Sequence, residues 1–138
     1  MRNVDTKVAA LRRVDFLRSC TDRELAKLSS TVDRISVEIG RVLMREGDYG
    51  REAFVVVTGS AEVTAGDVAI ATIGPGGFIG EMAMLSGEPR SATVIAITDI
   101  ELLVLSPATF RAFAEHPEVG LALSRCLARR LADVQAQL

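Results

Sequence analysis

The chain has 138 residues, of which 49% are hydrophobic and 25% are charged, and its formal net charge is -2. These values fit one globular domain with its own core, and the slightly acidic balance argues against a dedicated nucleic-acid binder, which usually carries a basic surface. His116 is the single histidine, and no cluster of histidine, cysteine or carboxylate residues has metal-ligand spacing, so no metal site is expected.

No apolar run approaches the roughly 18 residues of a membrane span, and the first residues lack the apolar core of a signal peptide. We therefore expect a cytoplasmic protein that does not bind a membrane. Cys20 and Cys126 lie far apart in the sequence, and neither belongs to a C-x-x-C motif. Two buried thiols are the expectation, with a disulfide as the alternative.

The first segment, residues 1–32, is predicted to be helical. Thr21 and Glu24 have the spacing of a capping box, in which each side chain hydrogen-bonds to the backbone of the other residue. Apolar residues at helical intervals lie on both sides of this box: Val4, Val8, Leu11, Leu25, Leu28 and Val32.

The second segment, residues 33–105, is predicted to be antiparallel β-structure. Short apolar or alternating runs are separated by turn residues about every 8–12 positions, which is typical of a sandwich or a closed roll. No long helical pattern lies between the strands to form βαβ units. Five glycines fall at the breaks, each interpreted as a turn that needs a positive φ angle: Gly40, Gly47, Gly50, Gly59 and Gly66.

The third segment, residues 106–138, is predicted to form two helices. Ser106 is a candidate N-cap, Pro107 suits a first helical position, and Pro117 begins the second helix. An apolar stripe follows on that second helix: Leu123, Leu127, Leu131, Val134 and Leu138. Such a stripe must pack against the β-roll, a ligand or a second copy of the chain. The fold class is therefore α+β, a jelly-roll-like antiparallel β-roll with N-terminal helices and two C-terminal helices, in a single domain spanning residues 1–138.

One stretch, GGFIGEMAMLSGEPRSAT, contains two glutamates, Glu81 and Glu88, and a single arginine, Arg90, among small and apolar residues. A glycine-rich loop leads into a short helix of about one turn that starts at Glu81, and Arg90 then opens the next strand. Free N–H groups at a helix start bind anions, and the planar fork of Arg90 matches a phosphate. The pattern therefore predicts a phosphate site.

Glu81 would repel a phosphate, but a carboxylate accepts hydrogen bonds and a ribose hydroxyl donates one. A nucleotide bound through its sugar and its phosphate therefore accounts for both charges. The alternative is a salt bridge between Glu81 and Arg90 with no ligand.

The same stretch, extended to Val94, closely resembles the phosphate-binding cassette of cyclic-nucleotide-binding domains. The likeness extends to VDFLRSCTDRELAKL, GRVLMREGDYGREAFVVVTGSAEV and DIELLVLSPATF, so it covers nearly the whole chain. It implies that Glu81 binds the ribose 2′-hydroxyl and Arg90 the cyclic phosphate. The full set of implied ligand-binding residues is Gly80, Glu81, Met82, Ala83, Arg90, Ser91 and Ala92. Two departures are Ile79, where many members have an aromatic residue, and the short hairpin SAEVTAGDVAI.

The resemblance implies a sensor without catalytic residues or cofactor, whose ligand is cyclic AMP, with cyclic GMP as the alternative. In this family a threonine after the cassette arginine often accompanies use of cyclic GMP, and here that residue is Ser91. The signal would pass through movement of the C-terminal helices to a partner protein or a second copy. A rival hypothesis is an interaction module of the same fold that binds no nucleotide. A cupin-like metalloenzyme or a phosphodiesterase would need several metal ligands that the sequence lacks.

Overall fold

The described part of the chain folds into two four-stranded β-sheets and three α-helices. The computed structural model describes residues 3–14, 17–18, 20–80, 87–115, 117 and 121, without the side chains of 3–6, 110, 113 and 114. In chain order the elements are α1 (Asn3–Arg12), α2 (Asp22–Ser29), β1 (Asp33–Val37), β2 (Val42–Met44), β3 (Ala53–Thr58), β4 (Ala61–Ala65), β5 (Val68–Ile73), β6 (Phe78–Ile79), β7 (Thr93–Ala96), β8 (Ile100–Leu105) and α3 (Pro107–Ala114).

The predicted caps of two helices are confirmed. Glu24 N donates to Thr21 Oγ1 at 3.1 Å, and Thr21 N donates to Glu24 Oε1 at 2.9 Å, which completes the capping box of α2. Thr109 N donates to Ser106 Oγ at 3.2 Å at the start of α3. These side chains satisfy N–H groups that have no partner inside their helix.

The strands form the predicted antiparallel β-roll. One sheet has the order β1-β8-β3-β6 and the other β2-β7-β4-β5, and every pair of neighbours is antiparallel. The sequence segments with alternating or continuous apolar residues between turns correspond to these strands. Alternation is expected in a strand that is buried on one face, because successive side chains point to opposite faces of the sheet.

Strands β3 and β8 are nearly continuous apolar runs because both faces of their sheet are covered. Val55 and Leu103 face the helical layer, in a cluster that includes Leu11 and Leu25. The neighbouring side chains of the same strands face the second sheet. That second cluster contains Val56, Ala61, Ile79, Val94, Ala96, Ile100 and Leu102. Burial on both faces removes the alternation that a one-sided sheet would show.

Four of the five turn glycines have the predicted backbone. Gly40, Gly47, Gly59 and Gly66 have φ angles of 91°, 88°, 88° and 61°. The prediction is wrong for Gly50, which does not belong to the residues with positive φ. Glycine at position 50 has a different explanation: the Arg90 guanidinium lies where a side chain of residue 50 would be.

Phe78 and Ile79 form a short strand that the sequence did not predict. They pair with Val55 and Phe54 of β3, so the chain enters the cassette from within a sheet. Several predictions concern residues that the structure does not describe. These are the short helix that was predicted to start at Glu81, the single histidine His116, Cys126, and the apolar stripe of the second C-terminal helix. Cys20 is buried, so the thiol prediction is tested only for this one cysteine.

Candidate functional site

The structure describes four of the seven predicted ligand-binding residues. Gly80 follows β6, and Arg90, Ser91 and Ala92 precede β7. Glu81, Met82 and Ala83 lie outside the described residues, so their predicted contacts stay predictions. Gly80 and Arg90 are brought together across the intervening residues.

The loop between β2 and β3, residues 45–52, holds the backbone of Arg90. Gly47 N donates to the Arg90 carbonyl oxygen at 2.9 Å, and Arg90 N donates to the Asp48 carbonyl oxygen at 2.8 Å. Glu46 N also donates to Thr93 Oγ1 at 3.0 Å. Because both backbone groups of residue 90 are paired with one loop, the base of its side chain has a fixed position.

The Arg90 guanidinium donates to two backbone carbonyl groups. Nη2 donates to the Glu52 carbonyl oxygen at 2.7 Å, and Nη1 donates to the Gly80 carbonyl oxygen at 3.1 Å. A guanidinium has five N–H donors, so these two described carbonyl partners do not use all of them. Among the described residues, no ion pair joins Arg90 to a carboxylate.

Arg90 is 6% exposed and is the one charged residue that is buried in the described part of the chain. Burial lowers the pKa of Arg90 below its ordinary value, and the charge of the nearby Glu52 carboxylate partly offsets this effect. Arginine stays protonated in proteins even so, so the site contains a buried positive charge. Such a charge is costly to bury without an anion beside it.

Ser91 and Ala92 follow Arg90 with opposite exposure. Ser91 is exposed, whereas Ala92 is 5% exposed and packs into the protein. The Ser91 hydroxyl is therefore the accessible polar group next to Arg90, whereas the side chain of Ala92 packs in the core.

The glycine-rich loop before the cassette turns inward, toward the protein. Gly76 N donates to the Val56 carbonyl oxygen at 2.8 Å, and Gly77 N donates to the Gly74 carbonyl oxygen at 2.9 Å. A Cβ at Gly76, which has a φ of 85°, would lie 3.1 Å from Arg13 Cβ. This loop therefore packs against Arg13, which directly follows α1, and against β3, and these two amides are already paired.

The part of the chain that the structure describes contains no group of histidine, cysteine or carboxylate residues able to hold a metal ion. Across the same residues, none of the helices has the length and apolar character needed to cross a membrane.

The family model of the cyclic nucleotide-binding domain matches residues 34–116, which is more than half of the chain. The chain belongs to this family. The match begins in β1 and ends after α3, so it contains all of the β-roll except Asp33, together with the β2–β3 loop and Arg90.

Two curated relatives and one solved structure show how this domain is used elsewhere. The chain is 45% identical over 86 residues to the cyclic nucleotide-gated potassium channel mll3241 of Mesorhizobium japonicum, covering 62% of the chain and 24% of the channel. It is 35% identical over 114 residues to the Pycsar effector protein XpPycTIR of Xanthomonas perforans, covering 80% of the chain and 38% of the effector. The catabolite activator protein of Thermus thermophilus has a TM-score of 0.81 and 28% identity, covering 89% of the chain and 61% of that protein. The chain thus spans less than half the length of the two curated relatives.

Two residues around Arg90 were not predicted from the sequence of this cyclic nucleotide-binding domain. Glu52 contributes its backbone carbonyl, which no side-chain pattern reveals. Gly50 lies against the guanidinium, although the sequence pattern had indicated only an ordinary turn at this position. The spacing Gly47-x-x-Gly50 shows that the loop is glycine-rich, but it does not show what the second glycine contacts.

Proposed function

We propose that this chain is a regulatory module that binds a cyclic nucleotide, with cyclic AMP preferred, and that Arg90 holds the cyclic phosphate. The observation that carries the proposal is the surroundings of Arg90. Its charge is buried, and its described hydrogen-bond partners are two neutral carbonyl groups. A phosphate would add a full negative charge beside the guanidinium and accept N–H donors that these carbonyls do not use, in a bidentate arrangement.

The arrangement favours a ligand over a purely structural role for Arg90. A buried ion left without a countercharge costs several kcal/mol, by rough estimate. A structural arginine in such a buried place would offset that cost with a carboxylate; Arg34, which is partly exposed, already pairs with Glu101 across β1 and β8. Among the described residues, Arg90 instead has two backbone carbonyl groups that orient its guanidinium, and the Glu52 carboxylate offsets its charge only in part.

The ribose is assigned to Glu81 by the cassette motif alone, since Glu81 lies outside the described residues. A 2′-hydroxyl donates to a carboxylate, which removes the conflict between Glu81 and a bound phosphate. The alternative, a salt bridge between Glu81 and Arg90, predicts no sensitivity to the 2′-hydroxyl of any nucleotide.

The preference for cyclic AMP rests on Ser91. Its exposed hydroxyl has no methyl group to restrict its rotamer, unlike the threonine that often accompanies cyclic GMP in this family. Cyclic AMP is therefore proposed as the tighter ligand.

Regulation is proposed to pass through the C-terminal segment to a partner protein or a second copy of the chain. A ligand shifts such an element only if it binds one of its positions more tightly than the other. Amide hydrogen exchange with and without cyclic AMP tests this step. Slower exchange in residues 119–138 with ligand is expected, and identical exchange would contradict the signalling model while leaving binding intact.

Isothermal titration calorimetry of the chain with cyclic AMP, cyclic GMP and linear AMP tests the proposed function. We expect saturable binding in the order cyclic AMP, cyclic GMP, linear AMP, and recovery of the cyclic nucleotide unchanged after incubation, since no catalytic group is proposed. Absence of binding to both cyclic nucleotides would favour the interaction module. Conversion of the nucleotide to its linear form would favour an enzyme.

A further inference from the structure

Gly50 lies in the β2–β3 loop two residues after Asp48, whose carbonyl accepts from Arg90 N. Its backbone does not need glycine, because its φ angle lies outside the positive range that other residues avoid. A side chain at position 50 would therefore cost little for backbone reasons. The reason for glycine must lie in what surrounds it.

A Cβ at position 50 would lie 2.5 Å from Arg90 Cζ, and it would lie closer still to Nε and Nη2. Atoms not bonded to each other do not approach this closely, since carbon atoms pack at roughly 3.5–4.0 Å. The guanidinium thus occupies the space that any side chain at position 50 would fill.

Gly80 limits the guanidinium from a second direction. A Cβ there would lie 2.6 Å from Arg90 Nη1 and 3.0 Å from the Glu52 carbonyl oxygen. Gly80 also has a φ of 85°, so a substitution there strains the backbone as well as the contact. A substitution at Gly50, by contrast, changes the contact with Arg90 without straining the backbone.

We propose that Gly50 is a positioning residue that sets the affinity for the cyclic phosphate by admitting the Arg90 guanidinium between the β2–β3 loop and Gly80. This inference rests on the proposed function of Arg90. Since the clash involves the far end of a flexible side chain, Gly50→Ala leaves the fold intact and swings the guanidinium away from Glu52 and Gly80. The guanidinium of Arg90 then no longer has the orientation that two parallel hydrogen bonds to a phosphate require.

The test is a double-mutant cycle measured by calorimetry with cyclic AMP. Gly50→Ala should weaken binding at least about tenfold, whereas Gly50→Ala added to Arg90→Ala should change it less than about twofold, because the contact has already been removed. Gly74→Ala is the matched control. Gly74 also has no positive φ, and a Cβ there would meet nothing within 4 Å, so this variant should bind as wild type does.

A crystal structure of Gly50→Ala separates this inference from the proposed function. We expect Arg90 Nη2 to lie beyond hydrogen-bond distance of the Glu52 carbonyl oxygen. If wild type binds no cyclic nucleotide, the proposed function fails, and this structure still decides whether Gly50 places the guanidinium. An unmoved guanidinium, an unfolded Gly50→Ala chain, or an equal loss of affinity in both backgrounds of the cycle would overturn the inference.

Discussion

Lys7 and Arg90 are two cationic side chains that each donate to two backbone carbonyl groups, but they lie in different surroundings. Lys7 Nζ donates to the Val32 carbonyl oxygen at 2.8 Å and the Ser29 carbonyl oxygen at 3.4 Å, at the end of α2. Lys7 is partly exposed, so water solvates its charge. Arg90 has a similar pair of carbonyl partners but is 6% exposed.

The difference separates a completed structural contact from one that a ligand can complete. The C-terminal end of a helix carries a partial negative charge, so Lys7 meets a favourable field as well as two acceptors. Arg90 has oriented acceptors in a buried place, where little water solvates its charge, and among the described residues no carboxylate forms an ion pair with it. Equal hydrogen-bond partners therefore do not indicate equal roles, and burial decides between them.

The largest expected effect is on Arg90. Arg90→Ala should weaken cyclic AMP binding by ten- to a few-hundredfold, since each hydrogen bond to a charged group contributes about 1.5–3 kcal/mol. Arg90→Lys should recover only part of the loss, because lysine has no planar fork. Calorimetry on the three proteins measures both effects. Binding of Arg90→Ala within twofold of wild type would show that the phosphate lies elsewhere.

The second effect concerns the ribose. A 2′-deoxy cyclic AMP should bind wild type about tenfold more weakly than cyclic AMP, since it loses one hydrogen bond to a charged group. Glu81→Gln should bind cyclic AMP more weakly. It should also narrow the gap, which is the difference in affinity between cyclic AMP and 2′-deoxy cyclic AMP. The gap is the quantity to compare by calorimetry. If it is the same in Glu81→Gln and in wild type, Glu81 does not contact the 2′-hydroxyl.

The third effect is on stability alone. Lys7→Met keeps the apolar stem and removes the charged donor, and it should lower the free energy of unfolding by about 1 kcal/mol. Urea unfolding measures the loss, and calorimetry should give cyclic AMP affinity within twofold of wild type. A loss of affinity without a loss of stability would mean that Lys7 and Arg90 do not differ in role as their exposure indicates.

The smallest effect concerns the choice of base. Ser91→Thr should raise the affinity for cyclic GMP relative to cyclic AMP by roughly two- to tenfold, because the added methyl group restricts the rotamer of the hydroxyl and so favours its neutral hydrogen bond to guanine, which contributes about 0.5–1.5 kcal/mol. If Arg90 contacts the phosphate of both ligands, as proposed, Arg90→Ala should weaken both equally and leave their ratio unchanged. Tighter binding of cyclic GMP than cyclic AMP by wild type would overturn the proposed preference.

The strands, the helix caps and most turns could be predicted from the sequence because they depend on neighbouring residues. Thr21 and Glu24 are three positions apart, so their reciprocal bonds follow from the helix itself. Gly40, Gly47, Gly59 and Gly66 have the positive φ angles that a turn between two short strands often requires. The cassette motif likewise indicated that Gly80 and Arg90 belong to one site.

Contacts between distant segments could not be predicted in the same way. The sequence shows that Gly50 and Arg90 exist, but only the tertiary structure shows that the guanidinium lies where a side chain of residue 50 would be. The same holds for the Glu52 carbonyl, because every residue has one and folding alone decides which carbonyl faces a buried charge. The tertiary structure alone likewise shows that Gly76 packs against Arg13 of the N-terminal segment. Local backbone preferences thus determined the elements and the motif, whereas the packing of distant elements decided how the charge at Arg90 is held.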